Sequence, residues 1–224
     1  MRLELLHLCD SLFPTGSFGY SDGLETATAS GAIATISDLG EWLDVCLDET
    51  IAHTDGPAVR RAWIAIDRAD WDAVIALDEE LTALRPAASA RRSSRAMGRR
   101  LLTTWQRLHP DEHLERLQCL ARDERIGPTL PVAFAAAAWT GGADTLTALE
   151  SFAYTRLAAT VSAAMRLMAI GQSDAHARLA RTLERVPGAA AAIVERDAAI
   201  ESFTPAMDIA AMNHQYVHSR LFRS

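Results

Sequence analysis

The sequence predicts an all-α protein, and three observations support this class. Alanine, leucine and arginine dominate the chain of 224 residues. β-branched residues rarely cluster, and no stretch keeps a strict polar and apolar alternation for the length of a strand. Apolar residues instead recur at three- and four-residue spacing between short proline and glycine breaks. We therefore expect one domain over 1–224, a bundle of about eight to ten helices around a long central helix.

The first element is an N-terminal helix followed by a loop with two aromatic residues. We expect the helix to open at Arg2 and to end just before Pro14, because proline disfavours helical backbone in the residue before it. The segment Asp10–Glu25 reads DSLFPTGSFGYSDGLE. Its glycines permit a turning backbone around Phe18 and Tyr20. These aromatic side chains either fill the protein's own core or lie on a docking surface.

Four helices are expected between this loop and the middle of the chain. The first of them ends at a glycine. The second is separated from the third by Asp55, Gly56 and Pro57, and the fourth is capped by Asp70. A fifth helix carries apolar residues on one face and arginines on the other. The expected ranges are 21–31, 37 to 53, a third helix from 57, 71–84 and 89–109.

The C-terminal half contains the expected central helix. Its sequence keeps a helical apolar period from Asp144 to Ile170, with Asp144 or Thr145 as the N-cap. The preceding helix, 130–140, is almost uniformly small and apolar, which predicts burial on all sides. The other expected helices are a short one from Pro110 through Leu120, 175–185, 189–200 and one started by Pro205.

Composition excludes several classes of protein. A formal net charge of −7 argues against a general nucleic-acid binder, which normally has a basic excess. Cys9, Cys46 and Cys119 lie far apart, which suggests neither a disulfide framework nor a zinc finger. The longest near-apolar run, 130–139, is far short of the ~20 residues that cross a bilayer. We expect a soluble protein of a reducing, cytoplasmic compartment, without membrane or nucleic-acid partners.

Two histidine pairs have the spacing of metal ligands on a helix. His109 and His113 flank Pro110 in a polar stretch, which favours a surface helix start over a metal site. His214 and His218 form the better pair, with Asp208 six residues upstream of His214. A pair alone is weak support, because metal sites need three or four converging ligands. No nucleotide-binding, hydrolase or metalloprotease motif is present, so no cofactor and no catalytic residue is predicted.

An arginine-rich face lies on the helix over 89–109. It contains Arg91, Arg92, Arg95, Arg99 and Arg100. In an acidic chain a solvated helix face is the leading interpretation, ahead of an acidic partner or a phosphate ligand. A nucleic-acid regulator that reads phosphates with Arg91, Arg95 and Arg99 stays open as a further hypothesis.

The tail 202–224 reads SFTPAMDIAAMNHQYVHSRLFRS and differs in character from the rest of the chain. Pro205 starts a short helix, and Leu221 and Phe222 follow between Arg220 and Arg223. Chain ends are normally polar and frayed, whereas this one presents apolar and cationic groups together. The tail either folds back on its own helices or docks on another protein.

Four segments resemble the UreF family of urease accessory proteins. The loop DSLFPTGSFGYSDGLE resembles the family's N-terminal signature, and DIAAMNHQYVHSRLFRS resembles its C-terminal pattern. RRSSRAMGRRLL and VSAAMRLMAIGQSDAH resemble two segments between them. The resemblance therefore spans the whole chain in order.

The resemblance implies a non-enzymatic, all-helical cytoplasmic scaffold that dimerises. It also implies three partners, namely UreD (also called UreH), the GTPase UreG and apo-urease, into which the assembly inserts nickel while GTP stays on UreG. The C-terminal segment is associated in this family with UreD binding. With the N-terminal loop, the implied partner-binding residues are Phe13, Pro14, Gly16, Phe18, Tyr20, Phe203, Pro205, Asp208, His214, Arg220, Leu221, Phe222 and Arg223.

Two hypotheses from different classes follow. The first is a urease assembly factor that docks partners with its N-terminal loop and C-terminal tail. The alternative is an all-α metal-binding protein or enzyme that uses His214 and His218, with Asp208 as a third ligand. Tight stoichiometric metal binding is required by the alternative and optional for the first.

Overall fold

A computed structural model of the chain describes residues 3–196 and 199–223, and it confirms the all-α class. No strand occurs in these two ranges. A π-helical segment, Cys46–Asp55, joins the third and fourth helices, and short 3-10 turns occupy Ser17–Gly19 and His214–Tyr216. The helices are α1 Leu3–Cys9, α2 Leu24–Ala29, α3 Ile36–Val45, α4 Gly56–Asp67, α5 Trp71–Ala83, α6 Ala88–Leu108, α7 Glu112–Arg122, α8 Leu130–Thr140, α9 Thr145–Leu167, α10 Gln172–Leu183, α11 Val186–Glu195 and α12 Pro205–Asn213.

The central helix is α9, as its length and apolar period predict. The Asp144 carboxylate caps it by accepting a hydrogen bond from the backbone N–H of Thr147. Its first half, with Phe152, lies in one hydrophobic cluster, and its second half, with Leu157 and Val161, lies in another. Helix α9 thus connects the two clusters, while the assignment of 1–224 to one domain stays a prediction.

Helix α8 is buried on all sides, and this confirms the interpretation of its uniformly apolar sequence. Its residues from Leu130 to Ala138 are all buried, and it packs between α4 and α6. Gly98 on α6 permits the close approach, because a Cβ there would lie 2.0 Å from the carbonyl oxygen of Pro128. The Ser94 hydroxyl on α6 accepts a hydrogen bond from the N–H of Leu130 and so satisfies the start of α8.

The break expected at Asp55, Gly56 and Pro57 does not occur. The chain stays helical from α3 to α4, because it widens into the π-helix and the N–H of Gly56 bonds the carbonyl oxygen of Ile51. Pro57 has no N–H to give to His53. The carbonyl oxygen of His53 instead accepts the N–H of Glu201. The π-helix therefore accommodates Pro57 without a helix break. The free carbonyl of His53 also anchors the chain before α12 through Glu201.

Other helix boundaries differ from the predictions for local reasons. Helix α1 ends at Cys9, well before Pro14, because the Asp10 carboxylate accepts the N–H of Leu12 and turns the chain. The predicted start, Arg2, lies outside the described residues. Helix α2 begins at Leu24, three residues later than expected, and α11 contains Pro187 in its first turn instead of starting after it. The ends of α5, α6 and α8 agree with prediction to within about one residue.

The topology brings both ends of the chain to α9. Helix α1 and the 3-10 turn Ser17–Gly19 contact α9, and α12 packs on α2, which itself contacts α9. Among the described residues, no helix is both long enough and apolar enough for a transmembrane span.

Candidate partner-binding surface

The segment Asp22–Glu25 contains residues that contact the C-terminal half of the chain. Asp22 and Gly23 both have positive φ, at 50° and 91°, and place the start of α2 at the end of a tight turn. The left-handed conformation is strained for Asp22 and unstrained for Gly23. Each of the residues Asp22, Gly23 and Glu25 then contacts a different part of the C-terminal half.

Glu25 holds the C-terminal tail through both of its carboxylate oxygens. Its side chain is 4% exposed. Oε1 accepts the backbone N–H of Leu221, and Oε2 accepts the N–H of Phe222 at 3.2 Å. Oε2 also lies 2.6 Å from Nε2 of His214.

Gly23 permits α12 to pack directly on the start of α2. A Cβ at this position would lie 3.1 Å from the backbone nitrogen of Ala211 and 3.1 Å from the carbonyl oxygen of Met207. Backbone atoms cannot turn aside as a flexible side chain can. The requirement for glycine is therefore both conformational and steric.

Asp22 forms an ion pair with Arg156 in the middle of α9. Burial alone would raise the pKa of the Asp22 carboxyl, but the guanidinium of Arg156 lowers the pKa below its usual value. Burial raises the pKa of the neighbouring Cys46 thiol to about 12. Cys46 is therefore a neutral thiol at physiological pH, and thiolate chemistry is not expected of it.

Arg166, near the end of α9, is stacked between the two ends of the chain. Its guanidinium carbon lies 3.7 Å from the ring centroid of Phe18 and 4.2 Å from that of Phe222. The same guanidinium donates a hydrogen bond to the carbonyl oxygen of Phe18. One residue further along, the N–H of Arg223 donates to the carbonyl oxygen of Gly19 at 2.8 Å. The loop and the tail, which are nearly the whole chain apart in sequence, thus share contacts.

Exposed large apolar side chains concentrate at these two ends. Phe18 is 66% exposed, Phe203 is 81% exposed and Tyr216 is 77% exposed. Exposed apolar patches mark interaction sites in folded proteins. We call the following set the terminal surface: Leu3, Leu6, Leu12, Phe18, Phe203, Ile209, Met212, Tyr216 and Leu221.

A cleft of about 890 Å³ opens beside this surface. One wall is α1 with the loop after it, and the other is the face of α9 that carries Tyr154, Ala158 and Ser162. Phe18, Arg166 and Phe222 close one end. The residues of α9 that line this wall are mostly small. The lining of the cleft, like the terminal surface, is mainly apolar.

The residues predicted to bind partners divide by exposure. Phe13, His214 and Phe222 are buried, and in this structure they support the surface from beneath. Phe13 packs on Trp105, whose ring centroid lies 5.8 Å away. Intermediate exposure is found for Gly16, Tyr20 and Asp208, and high exposure for Pro14, Phe18, Phe203, Pro205, Arg220, Leu221 and Arg223. The predicted tail also includes Ser224, which lies outside the described residues.

The histidine pairs are not assembled as metal sites in the described part of the chain. No group of three or more His, Cys, Asp or Glu side chains is placed there to share a metal ion. His214 is committed to Glu25, and His218 is exposed. His113 instead packs between Trp71 and Trp139, at ring-centroid distances of 5.6 and 4.6 Å.

The arginine-rich face of α6 is mostly a solvated helix face. Arg92, Arg99 and Arg100 are exposed. Arg91 turns back and donates hydrogen bonds to the carbonyl oxygens of Arg85 and Pro86. The conformation of Arg91 therefore supports the connection between α5 and α6.

The sequence did not point to three residues that make polar contacts between distant segments, namely Asp22, Glu25 and Arg156. Asp22 and Glu25 lie inside the motif SDGLE, so the motif itself was the available signal. Its acidic residues read as ordinary helix-start residues, because their partners lie 134 to 197 positions away. Only the tertiary structure reveals those partners.

The described chain is all-helical, and its N-terminal loop and C-terminal tail contact each other and carry exposed apolar side chains. The family model that matches the chain is that of UreF, over residues 33–183. Proteins named urease accessory protein UreF match over nearly the full length. The relative from Polaromonas sp. is 32% identical over 99% of this chain and 94% of its own length. The relative from Paracidovorax citrulli is 33% identical over 99% and 88%, and that from Lachnoclostridium phytofermentans is 30% identical over 99% and 98%. The chain belongs to the UreF family.

Proposed function

We propose that this protein is a non-enzymatic accessory scaffold for urease maturation. It joins UreD (UreH) and the GTPase UreG on apo-urease and assists nickel insertion there. Family membership supports the role in urease maturation. The observation that carries the scaffold role is the terminal surface, in which exposed apolar side chains from both ends of the chain are held together by buried contacts.

The terminal surface is the proposed docking site for UreD. Phe203, Tyr216 and Leu221 are aromatic or aliphatic groups that lose water on contact with a partner, and such side chains dominate binding energy at protein interfaces. Arg220 and Arg223 are exposed beside them and supply charges for partner choice. We propose that UreG joins the same assembly. We also propose that the assembly forms in the cytoplasm and that this chain is a homodimer in it.

Point substitutions on the terminal surface test this assignment without removing the tail. The triple variant Phe203→Ser, Tyr216→Ser and Leu221→Ser is expected to lose co-purification with UreD by tenfold or more, since single interface anchors often contribute over 1 kcal/mol. Leu108→Ser is the control, because Leu108 is an exposed leucine on α6, outside the terminal surface, and its exposure is close to that of Leu221. Undiminished UreD capture by the triple variant would overturn the assignment of the terminal surface.

The alternative function, a metal-binding protein or enzyme that uses His214 and His218, is not favoured by an observation in the described residues. His214 would have to leave Glu25, to which it is hydrogen bonded in the interior. Equilibrium dialysis with nickel or zinc decides between the two functions. Tight stoichiometric binding that is lost on His214→Ala is required by the alternative.

A further inference from the structure

The anchoring of the C-terminal segment depends on one buried carboxylate. Among the described residues, the Glu25 carboxylate is hydrogen bonded to three groups of the tail, namely the His214 ring and the backbone N–H groups of Leu221 and Phe222. The ionisable partner that the structure shows for it is His214, whose side chain is 3% exposed. The two arginines of the described tail, Arg220 and Arg223, are exposed to solvent and do not pair with this buried carboxylate.

A buried carboxylate is tolerated only while its hydrogen bonds are made. If the tail lifts away, Glu25 loses these three hydrogen-bond partners at once and must be rehydrated. The donors are not interchangeable with water while α12 and Phe222 cover the site. Seating of the tail is therefore expected to be cooperative, with residues 214–222 docking or leaving together.

The other contacts of the segment depend on the same seating. The ring of Phe222 packs on the guanidinium of Arg166, and the backbone N–H of the same residue donates to Glu25. The hydrogen bond from the N–H of Arg223 to Gly19 follows directly after it in the chain. Leu221 donates its N–H to Glu25 and leaves its side chain 55% exposed on the terminal surface. The carboxylate of Glu25 thus fixes the backbone of both the exposed Leu221 and the buried Phe222.

We propose that Glu25 is a positioning residue for the partner surface, a buried carboxylate latch that seats residues 214–223 on the N-terminal loop. The inference deepens the proposed function and rests on it for the consequence that partner capture depends on the latch. It assigns a role to the last residue of the SDGLE motif. It also predicts that the terminal surface is already formed in the free protein.

Hydrogen exchange of the full-length free protein tests the latch itself. Glu25→Gln keeps the size of the side chain but removes its charge and replaces one acceptor oxygen by a donor. Residues 214–223 of this variant are expected to exchange at least about tenfold faster than in the unchanged protein, because charge-assisted hydrogen bonds are lost. Glu41→Gln, at an exposed position of α3, is the matched control and is expected to leave the rate unchanged. Unchanged exchange of the tail in Glu25→Gln overturns the inference.

A second variant guards against a general folding defect. His214→Gln removes the imidazole donor alone and leaves the two backbone donors in place, so a smaller acceleration confined to the tail is expected. Circular dichroism should show unchanged helix content for both variants. If the exchange of α9 rises as much as that of the tail, Glu25 acts on the whole fold and the latch is rejected.

Capture of UreD by the same samples separates this inference from the proposed function. If the unchanged protein captures UreD and Glu25→Gln does so at least tenfold more weakly, the positioning role is supported. If the tail of Glu25→Gln exchanges faster but UreD capture is unchanged, the positioning role is overturned. If the unchanged protein fails to capture UreD, the proposed function fails, while the exchange result still decides whether the latch exists.

Discussion

At the scale of single residues, the segment Asp22–Glu25 carries more of the structure than its length suggests. Asp22 pairs with Arg156 on α9, Gly23 lies against α12, and Glu25 holds the tail. The sequence shows SDGLE as a family motif but not these contacts, because each partner is distant in the chain. Local patterns report helix caps and turns, whereas buried polar contacts between distant segments leave no local pattern.

Gly23→Ala tests the close approach of α12. The new Cβ meets backbone atoms of Met207 and Ala211 at 3.1 Å, and the positive φ adds strain. Gly31→Ala is a matched control, because Gly31 also has a positive φ but nothing lies within 4 Å of its added Cβ. We expect Gly23→Ala to lower the free energy of unfolding by at least about 1 kcal/mol more than Gly31→Ala in urea denaturation. Equal losses would show that α12 does not pack tightly on Gly23.

At the scale of elements, the starts of two capped helices were predicted well and helix continuity was not. Asp70 and Asp144 cap α5 and α9 as expected, because a cap is a local feature of sequence. Pro57 predicted a break, yet the chain continues through a π-helix whose freed carbonyl at His53 finds its partner at Glu201. The choice between a break and a π-helix depends on that distant partner, which the local sequence does not contain.

Asp144→Ala tests the cap of the central helix and its pH dependence. Hydrogen bonds from Thr147 lower the pKa of the Asp144 carboxyl in the folded protein. Its contribution is therefore present above its unfolded pKa of about 3.9 and is lost as the pH falls through the folded pKa. At pH 7 the substitution is expected to cost about 1 kcal/mol of unfolding free energy. The difference from the unchanged protein should shrink below about pH 3.5 in urea denaturation.

Asp144→Asn is the matched control for this experiment. Asparagine caps helices about as well as aspartate but carries no charge. It should retain most of the stability at pH 7, and its own contribution should not change with pH. A loss as large as that of Asp144→Ala would mean that charge, and not the capping hydrogen bond, sustains the start of α9.

At the scale of the whole molecule, the N-terminal loop and the C-terminal tail contact each other and the central helix. The all-α class and the central position of α9 follow from periodicity alone, and the urease accessory family follows from resemblance. The sequence suggested a docking role for each end but left open whether the aromatic residues were internal. The structure separates them: Phe13 and Phe222 are internal, and Phe18 is exposed but shares Arg166 with Phe222.

Sequence reasoning did not reveal how these roles are divided, because alternate residues of one short segment face opposite ways. Leu221 and Phe222 are adjacent in the chain, yet one is exposed and the other is buried. Their composition is equally apolar, so hydropathy cannot distinguish them. The two residues differ in their tertiary surroundings, where the backbone N–H groups of both donate to Glu25.

The affinity of UreD for Phe18→Ala, Leu221→Ala and the double variant tests the central claim most directly. Phe18 belongs to the N-terminal loop and Leu221 to the tail, so a shared surface requires that each substitution weakens binding. We expect each to raise the Kd about tenfold, and the double variant to differ from the product of the two effects, because residues of one interface couple. A Kd for Phe18→Ala equal to that of the unchanged protein would contradict a surface built from both ends of the chain.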